Sequence, residues 1–199
     1  ASGKRAICAG PGNPPVVVDE TAHLDKAARD IILGASTDNN IICVDEKAVF
    51  VVASVADRLI QSMVGQGAIL LDSLRLRQIE NLVFATHPGP RGRGLMNHDM
   101  IGKDIRVILA RVGMNVPASA RLAIVDVEEP HPLLWSEQMM PILPICRVPT
   151  ADRAIDLAIE VEGGNRHTAV MHSTHLDRLS RMAKACDCSI FVKNGPSQA

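Results

Sequence analysis

The sequence predicts an α/β fold in which helices cover a mostly parallel sheet. Short apolar bursts alternate with stretches of helical periodicity along the chain, the pattern of βαβ units. Hydrophobic residues fill 47% of the 199 positions, enough for a substantial core, while aromatics fill only 2%. The core must therefore be aliphatic and methionine-rich. No internal repeat or low-complexity tract breaks the alternation.

Each element has its own signal. "PPVVVDE" reads as a short buried strand. "HLDKAARDIILG" puts Leu24, Ala27, Ala28, Ile31 and Ile32 on one helical face, with Gly34 as the stop. "KAVFVVA" is a second strand, and Ser54 with Asp57 forms a capping-box-like start for the helix "VADRLIQSMVGQG". Asp72 is placed to cap a helix running to Val83. "THPGPRGRGLMNHDMIG" is rich in glycine, proline and basic residues and reads as a loop that is functional or partner-facing rather than core. A helix near Asp104 to Val112 and the strand "RLAIVDV" follow. "PILPICRV" is apolar, and Pro144 suits an edge or a strand start. Thr150 opens the helix "ADRAIDLAIEV", which Gly163 and Gly164 end. "HTAVMHS", "HLDRLSRMAKA" and "SIFVKN" complete the chain as strand, helix and strand.

Composition excludes several classes of function. The formal net charge is -1 and no basic block is present, so there is no electrostatic footprint for nucleic acid. The chain has no tyrosine, one tryptophan and three phenylalanines, too few for a base-stacking surface. Its five cysteines, Cys8, Cys43, Cys146, Cys186 and Cys188, are an odd number without disulfide-framework spacing, which implies a reducing, cytoplasmic compartment. No signal peptide and no membrane-spanning apolar run are evident. "ASGKRAICAG" lacks an initiator methionine, so the chain is expected to be a piece of something longer.

The candidate sites are open to two readings when taken singly. Cys43, in "DNNIICVDEK", is either a packing residue in an apolar run or a nucleophile flanked by polar groups that favour a thiolate. "GPGNPP" lacks the spacing of a phosphate loop and reads as a turn entering a strand. His172 with His175, and Cys186 with Cys188, each lack the second pair of a structural zinc site, so no metal is expected. His167 at a strand start would ordinarily be a plain polar residue. Glu137, in "LLWSEQMMPILPI", is either near the surface or held for a purpose.

Four segments, "AGPGNPPVVVDETA", "GASTDNNIICVDEKAVFVV", "HPLLWSEQMMPILPICRV" and "GGNRHTAVMHS", resemble the CoA-acylating aldehyde dehydrogenases. The resemblance is to the type associated with bacterial microcompartments for ethanolamine and propanediol use. It runs in family order over nearly the whole chain and implies an aldehyde-dehydrogenase-like catalytic domain spanning residues 1–199. The dinucleotide-binding portion and the oligomerisation arm would lie outside this chain.

What the resemblance implies is specific. Cys43 matches the nucleophile, which attacks a short-chain aldehyde of the acetaldehyde or propionaldehyde class. Hydride passes to NAD, a thioester remains on the cysteine, and coenzyme A takes the acyl group. The Cys43 N–H would help to hold the oxyanion. Glu137 matches a glutamate placed near the nicotinamide ribose, although "E-Q-M-M-P" stands where "E-I-F-G-P" is usual. His167 matches a histidine used in proton transfer, a task that suits an imidazole. Hydrolytic relatives carry a glutamate base in "E-L-G-G", where this chain reads Ala9, Gly10, Pro11 and Gly12. That difference favours acyl transfer over a non-acylating dehydrogenase that yields free acid. A non-catalytic assembly fragment is the alternative of another class. The family further implies a homo-oligomer, cytoplasmic and housed within a microcompartment with contacts to its shell.

Overall fold

The computed structural model describes residues 10–198. Its centre is a seven-stranded sheet in which every pairing is parallel. The strands are β1 (Pro15–Val18), β2 (Ala48–Val52), β3 (Ile69–Leu71), β6 (Ala123–Asp126), β7 (Ile142–Val148), β8 (Thr168–His172) and β9 (Ile190–Lys193). Their order across the sheet is β3-β6-β7-β2-β1-β8-β9. β4 (Phe84–Thr86) and β5 (Leu95–Met96) form a separate antiparallel pair. The helices are α1 (Leu24–Ser36), α2 (Ala53–Gly65), α3 (Ser73–Val83), α4 (Ile105–Arg111), α5 (Pro132–Trp135), α6 (Ala151–Glu162) and α7 (Leu176–Cys186).

The central strands are apolar throughout because both faces of the sheet are covered. In β1 and β2, Val16, Val18, Val49 and Val51 face one way and pack with Leu24, Ala28 and Ile31 of α1 and Leu59 and Met63 of α2. Val17, Ala48 and Phe50 face the other way and pack with Ile155 and Ala158 of α6 and Ile108 of α4. Two aliphatic layers thus enclose the sheet, as the composition requires.

Most expected elements are present. Asp72, Asp104 and Thr150 each cap a helix by accepting a backbone N–H, from Arg75, Arg106 and Arg153 respectively. Gly163 ends α6 in the left-handed region at φ 71°. β3, β4, β5 and α5 have no expected counterpart; none exceeds four residues, too short for a periodicity to register.

Three expectations are corrected. Gly34 does not stop α1, which continues to Ser36. Gly34 is glycine because a Cβ there would overlap the Glu46 carboxylate. Ser54 is not a cap, because β2 ends at Val52 and α2 begins at the next residue without a connecting turn. Pro144 lies inside β7, between β6 and β2, not at an edge. It is tolerated there because the ladder to β2 begins only at Ile145. The segment 86–102 is largely irregular, as expected, yet Met96 and Met100 anchor it in the core.

Gly34 yields a prediction with a definite sign. Helix propensity alone favours alanine over glycine by roughly 1 kcal/mol. Packing opposes it, because Glu46 is buried and held by the N–H and hydroxyl of Ser197, at 2.9 and 2.8 Å. Gly34→Ala should therefore destabilise the chain, by about 1–3 kcal/mol as overpacked sites do. Urea unfolding measures this; a gain in stability would show that the carboxylate is free to move aside.

Candidate active site

The candidate residues come together through the topology of the sheet. β7, β2, β1 and β8 are adjacent and parallel, so their amino ends share one edge. Glu137 lies shortly before β7, Cys43 before β2, Gly12 before β1, and His167 directly before β8. Four segments distant in sequence therefore meet along that edge.

Gly12 is the point of contact. A Cβ on it would stand 2.6 Å from the Cys43 carbonyl oxygen and 3.4 Å from Cγ of the His167 ring. Its N–H donates to the Glu137 carboxylate. A side chain there would fill the space between the Cys43 backbone and the His167 ring, while Glu137 meets the same residue at its N–H. Asn13 fixes this loop from within, donating from Nδ2 to the carbonyls of Leu134 and Val161 at 3.0 and 3.3 Å. Neither residue carries a motif, and "GPGNPP", which reads as a plain turn, is the hub of the site.

The turn that bears Cys43 is built from unusual backbone. Asp38, Asn39 and Asn40 have φ values of 44°, 56° and 63°, all in the left-handed region. Aspartate and asparagine tolerate that region better than other non-glycine residues, which explains "DNN" before the cysteine. Ile41 is exposed and Cys43 sits in a half-buried turn, so the apolar run "IIC" is not a strand. Asn40 is buried and donates to the carbonyls of Ala35 and Glu46, at 2.9 and 3.0 Å. The Asp45 carboxylate accepts the Ile42 N–H at 3.2 Å.

Asp45, Glu46 and Lys47 are all fully buried behind this turn. Burial pushes the Glu46 carboxyl up to about 7 and the Lys47 ammonium down to about 8. Burial also raises the Glu137 carboxyl, a shift that Lys47, the Gly12 N–H and His167 each oppose. The His167 backbone N–H donates to Glu162 at 3.0 Å, and its Nδ1 lies 2.8 Å from the Thr168 hydroxyl. That contact occupies one ring nitrogen and leaves Nε2 for exchange with a substrate.

A cavity of about 290 Å³ opens beside Glu137, with Gly12, Asn13, Arg93, Trp135 and Met139 in its wall. Asn13 Oδ1 is buried and, among the described residues, has no protein partner. Glu137 is in the wall of this space, and Cys43 and His167 are not. Cys8 and Ala9 lie outside the described residues, so the position matching the hydrolytic glutamate is not part of this geometry.

Cys43 is set apart from the other described thiols by its surroundings. Burial pushes Cys146 and Cys186 up to about 12 and raises Cys188 as well. Thiolate, not thiol, is the nucleophile, so these three should react slowly near neutral pH. A brief, limiting iodoacetamide pulse followed by peptide mapping should label Cys43 ahead of Cys146, Cys186 and Cys188. Preferential labelling of Cys186 or Cys188 would remove the basis for singling out Cys43.

No family model matches the chain. It is 50% identical over 193 residues to the acetylating acetaldehyde dehydrogenase EutE of Salmonella typhimurium, covering 97% of this chain and 41% of that protein. Among solved structures, it is similar to propionaldehyde dehydrogenase of Rhodopseudomonas palustris with bound CoA and an acylated cysteine, with TM-score 0.91 and 48% identity over 98% of this chain and 44% of that one. It is also similar to a propionaldehyde dehydrogenase from the fucose utilisation microcompartment of Clostridium phytofermentans, with TM-score 0.89 and 45% identity, covering 98% and 44%. The chain spans about two fifths of the length of the curated relatives it matches. Over nearly its whole length this chain is similar, in sequence and in fold, to one segment of CoA-acylating aldehyde dehydrogenases.

Proposed function

We propose that this segment carries the nucleophile and acyl-transfer machinery of an NAD-dependent, CoA-acylating dehydrogenase of short-chain aldehydes. The observation that supports it most is the convergence of Cys43, His167 and Glu137 on Gly12.

In this reading the Cys43 thiolate adds to the aldehyde carbonyl, forming a carbon–sulfur bond and a thiohemiacetal. The Cys43 N–H holds the developing oxyanion, which is where such a donor contributes most. NAD supplies the hydride acceptor when bound, and a thioester then remains on Cys43. His167 takes the proton of the CoA thiol through its free ring nitrogen, and the CoA sulfur displaces Cys43 from the acyl carbon. Glu137, in the wall of the cavity beside the Gly12 N–H, would hold the nicotinamide ribose when the dinucleotide is bound. The dinucleotide would be held mainly by a binding portion of the longer protein, since this chain spans about two fifths of its relatives' length. Residues 1–199 serve as the nucleophile-bearing domain of that protein, which we also propose to be a homo-oligomer. Among the described residues no helix is long and apolar enough to cross a membrane. A microcompartment lumen, with contacts to its shell, is the proposed location, supported by the setting of the Clostridium relative.

Acyl transfer needs no hydride and isolates the chemistry of this segment. The purified chain, given millimolar acyl-CoA, should gain one acyl mass on Cys43, and Cys43→Ala should gain none. His167→Ala should acylate more slowly by about two orders of magnitude, the usual scale of general acid–base catalysis, since His167 returns a proton to the departing CoA sulfur in this direction. Intact-mass spectrometry with peptide mapping reads both. Equal acylation of Cys43→Ala would contradict the mechanism, and wild-type rates in a folded His167→Ala would contradict the role of the histidine.

A further inference from the structure

Lys47 is the largest fully buried polar side chain in the described structure, and no step above uses it. Its ammonium donates to the Asn40 carbonyl at 2.7 Å, the Asn40 side-chain oxygen at 2.8 Å and the Ile42 carbonyl at 3.1 Å. An ammonium has three protons, and three acceptors are present. All of them belong to the turn that bears Cys43.

The Ile42 carbonyl is one end of a peptide group, and the Cys43 N–H is the other. A cation at the carbonyl draws electron density from the amide and strengthens its N–H as a donor, as in any polarised hydrogen-bond chain. The effect is largest where water is excluded, and Lys47 is wholly excluded from it. The Asp45 N–H donates to the same carbonyl at 3.1 Å, so that oxygen is held from two directions. The Lys47 backbone is fixed in turn: its N–H donates to the Pro14 carbonyl at 2.9 Å, and its carbonyl accepts from Gln138 at 3.2 Å.

We propose that Lys47 is a positioning residue for acyl transfer, fixing the peptide between Ile42 and Cys43 and charging its N–H to receive the oxyanion. This rests on the function proposed above. The oxyanion forms when the Cys43 thiolate adds to the thioester carbonyl. It collapses when the bond to the departing CoA sulfur breaks, and that sulfur takes up a proton from His167, the reverse of the transfer proposed above. Lys47 touches neither sulfur; it acts through the peptide. The titratable groups that face it are Asp45, Glu137, Glu46 and Cys43, and each of these favours its charged form.

The test compares two reactions of one thiol. Acylation by acyl-CoA passes through an oxyanion; alkylation by iodoacetamide does not. The ratio of their rates at Cys43 therefore cancels thiolate content. Lys47→Met should lower that ratio by roughly ten- to a hundredfold, approaching the loss of an oxyanion donor. The wild type tests the same point without substitution. Burial brings the Lys47 ammonium down to about 8, so the ratio should fall as pH rises through that value. In Lys47→Met that fall should be absent. A ratio equal to wild type in Lys47→Met, or a wild-type ratio that is flat through pH 8, overturns the role of Lys47 while leaving Cys43 as the nucleophile. A wild-type chain that takes no acyl group at all overturns the proposed function, and this role with it.

Discussion

The arrangement depends on three successive charged side chains, Asp45, Glu46 and Lys47, held entirely out of water at the entrance to β2. Burying charge costs several kcal/mol per group unless each is satisfied. Here each is satisfied by a different part of the chain. Asp45 accepts the Ile42 N–H, Glu46 binds Ser197, and Lys47 binds Asn40 and Ile42. The run therefore ties the Cys43 turn to the C-terminal segment on one side and, through Gly34, to the interior face of α1 on the other. A turn with three left-handed residues would be costly alone; it persists because these bonds leave it no other conformation.

The location of the site is also a matter of topology. Open parallel sheets usually bind ligands at the carboxyl ends of their strands, where helix N-termini gather. Here the candidate residues lie at the amino ends of β7, β2, β1 and β8. Side chains and loop N–H groups supply polarity at that edge. Gly12 supplies an N–H to Glu137, Cys43 presents its own, and Lys47 stands behind the latter.

Much of the fold is legible in the sequence because local and tertiary signals agree. The valine runs of β1 and β2, the periodic faces of α1 and α6, and the helix starts at Asp72 and Thr150 all mean what they seem to mean. The errors arise where a distant partner decides. Gly34 resembles a helix stop until Glu46 is seen against it, and Pro144 resembles an edge until the register with β2 is known. The site divides the same way. Cys43, His167 and Glu137 are found through motif resemblance, not through any local peculiarity. Gly12, Asn40 and Lys47 are invisible in that reading, since their roles exist only once four strands are side by side. The one usable signal was "DNN" followed by "DEK": residues that tolerate left-handed backbone, then charges pressed against an apolar strand.

The central claim is that Cys43 receives an acyl group whose oxygen is held by its own N–H, beside His167 and over the Gly12 gap. A crystal structure of the chain after reaction with acyl-CoA addresses this directly. The account predicts an acyl carbon bonded to Cys43 Sγ, its oxygen within hydrogen-bond distance of the Cys43 N–H, and the Ile42 carbonyl still bound by Lys47. An acyl group on Cys43 with its oxygen turned to solvent, or on any other cysteine, would contradict it.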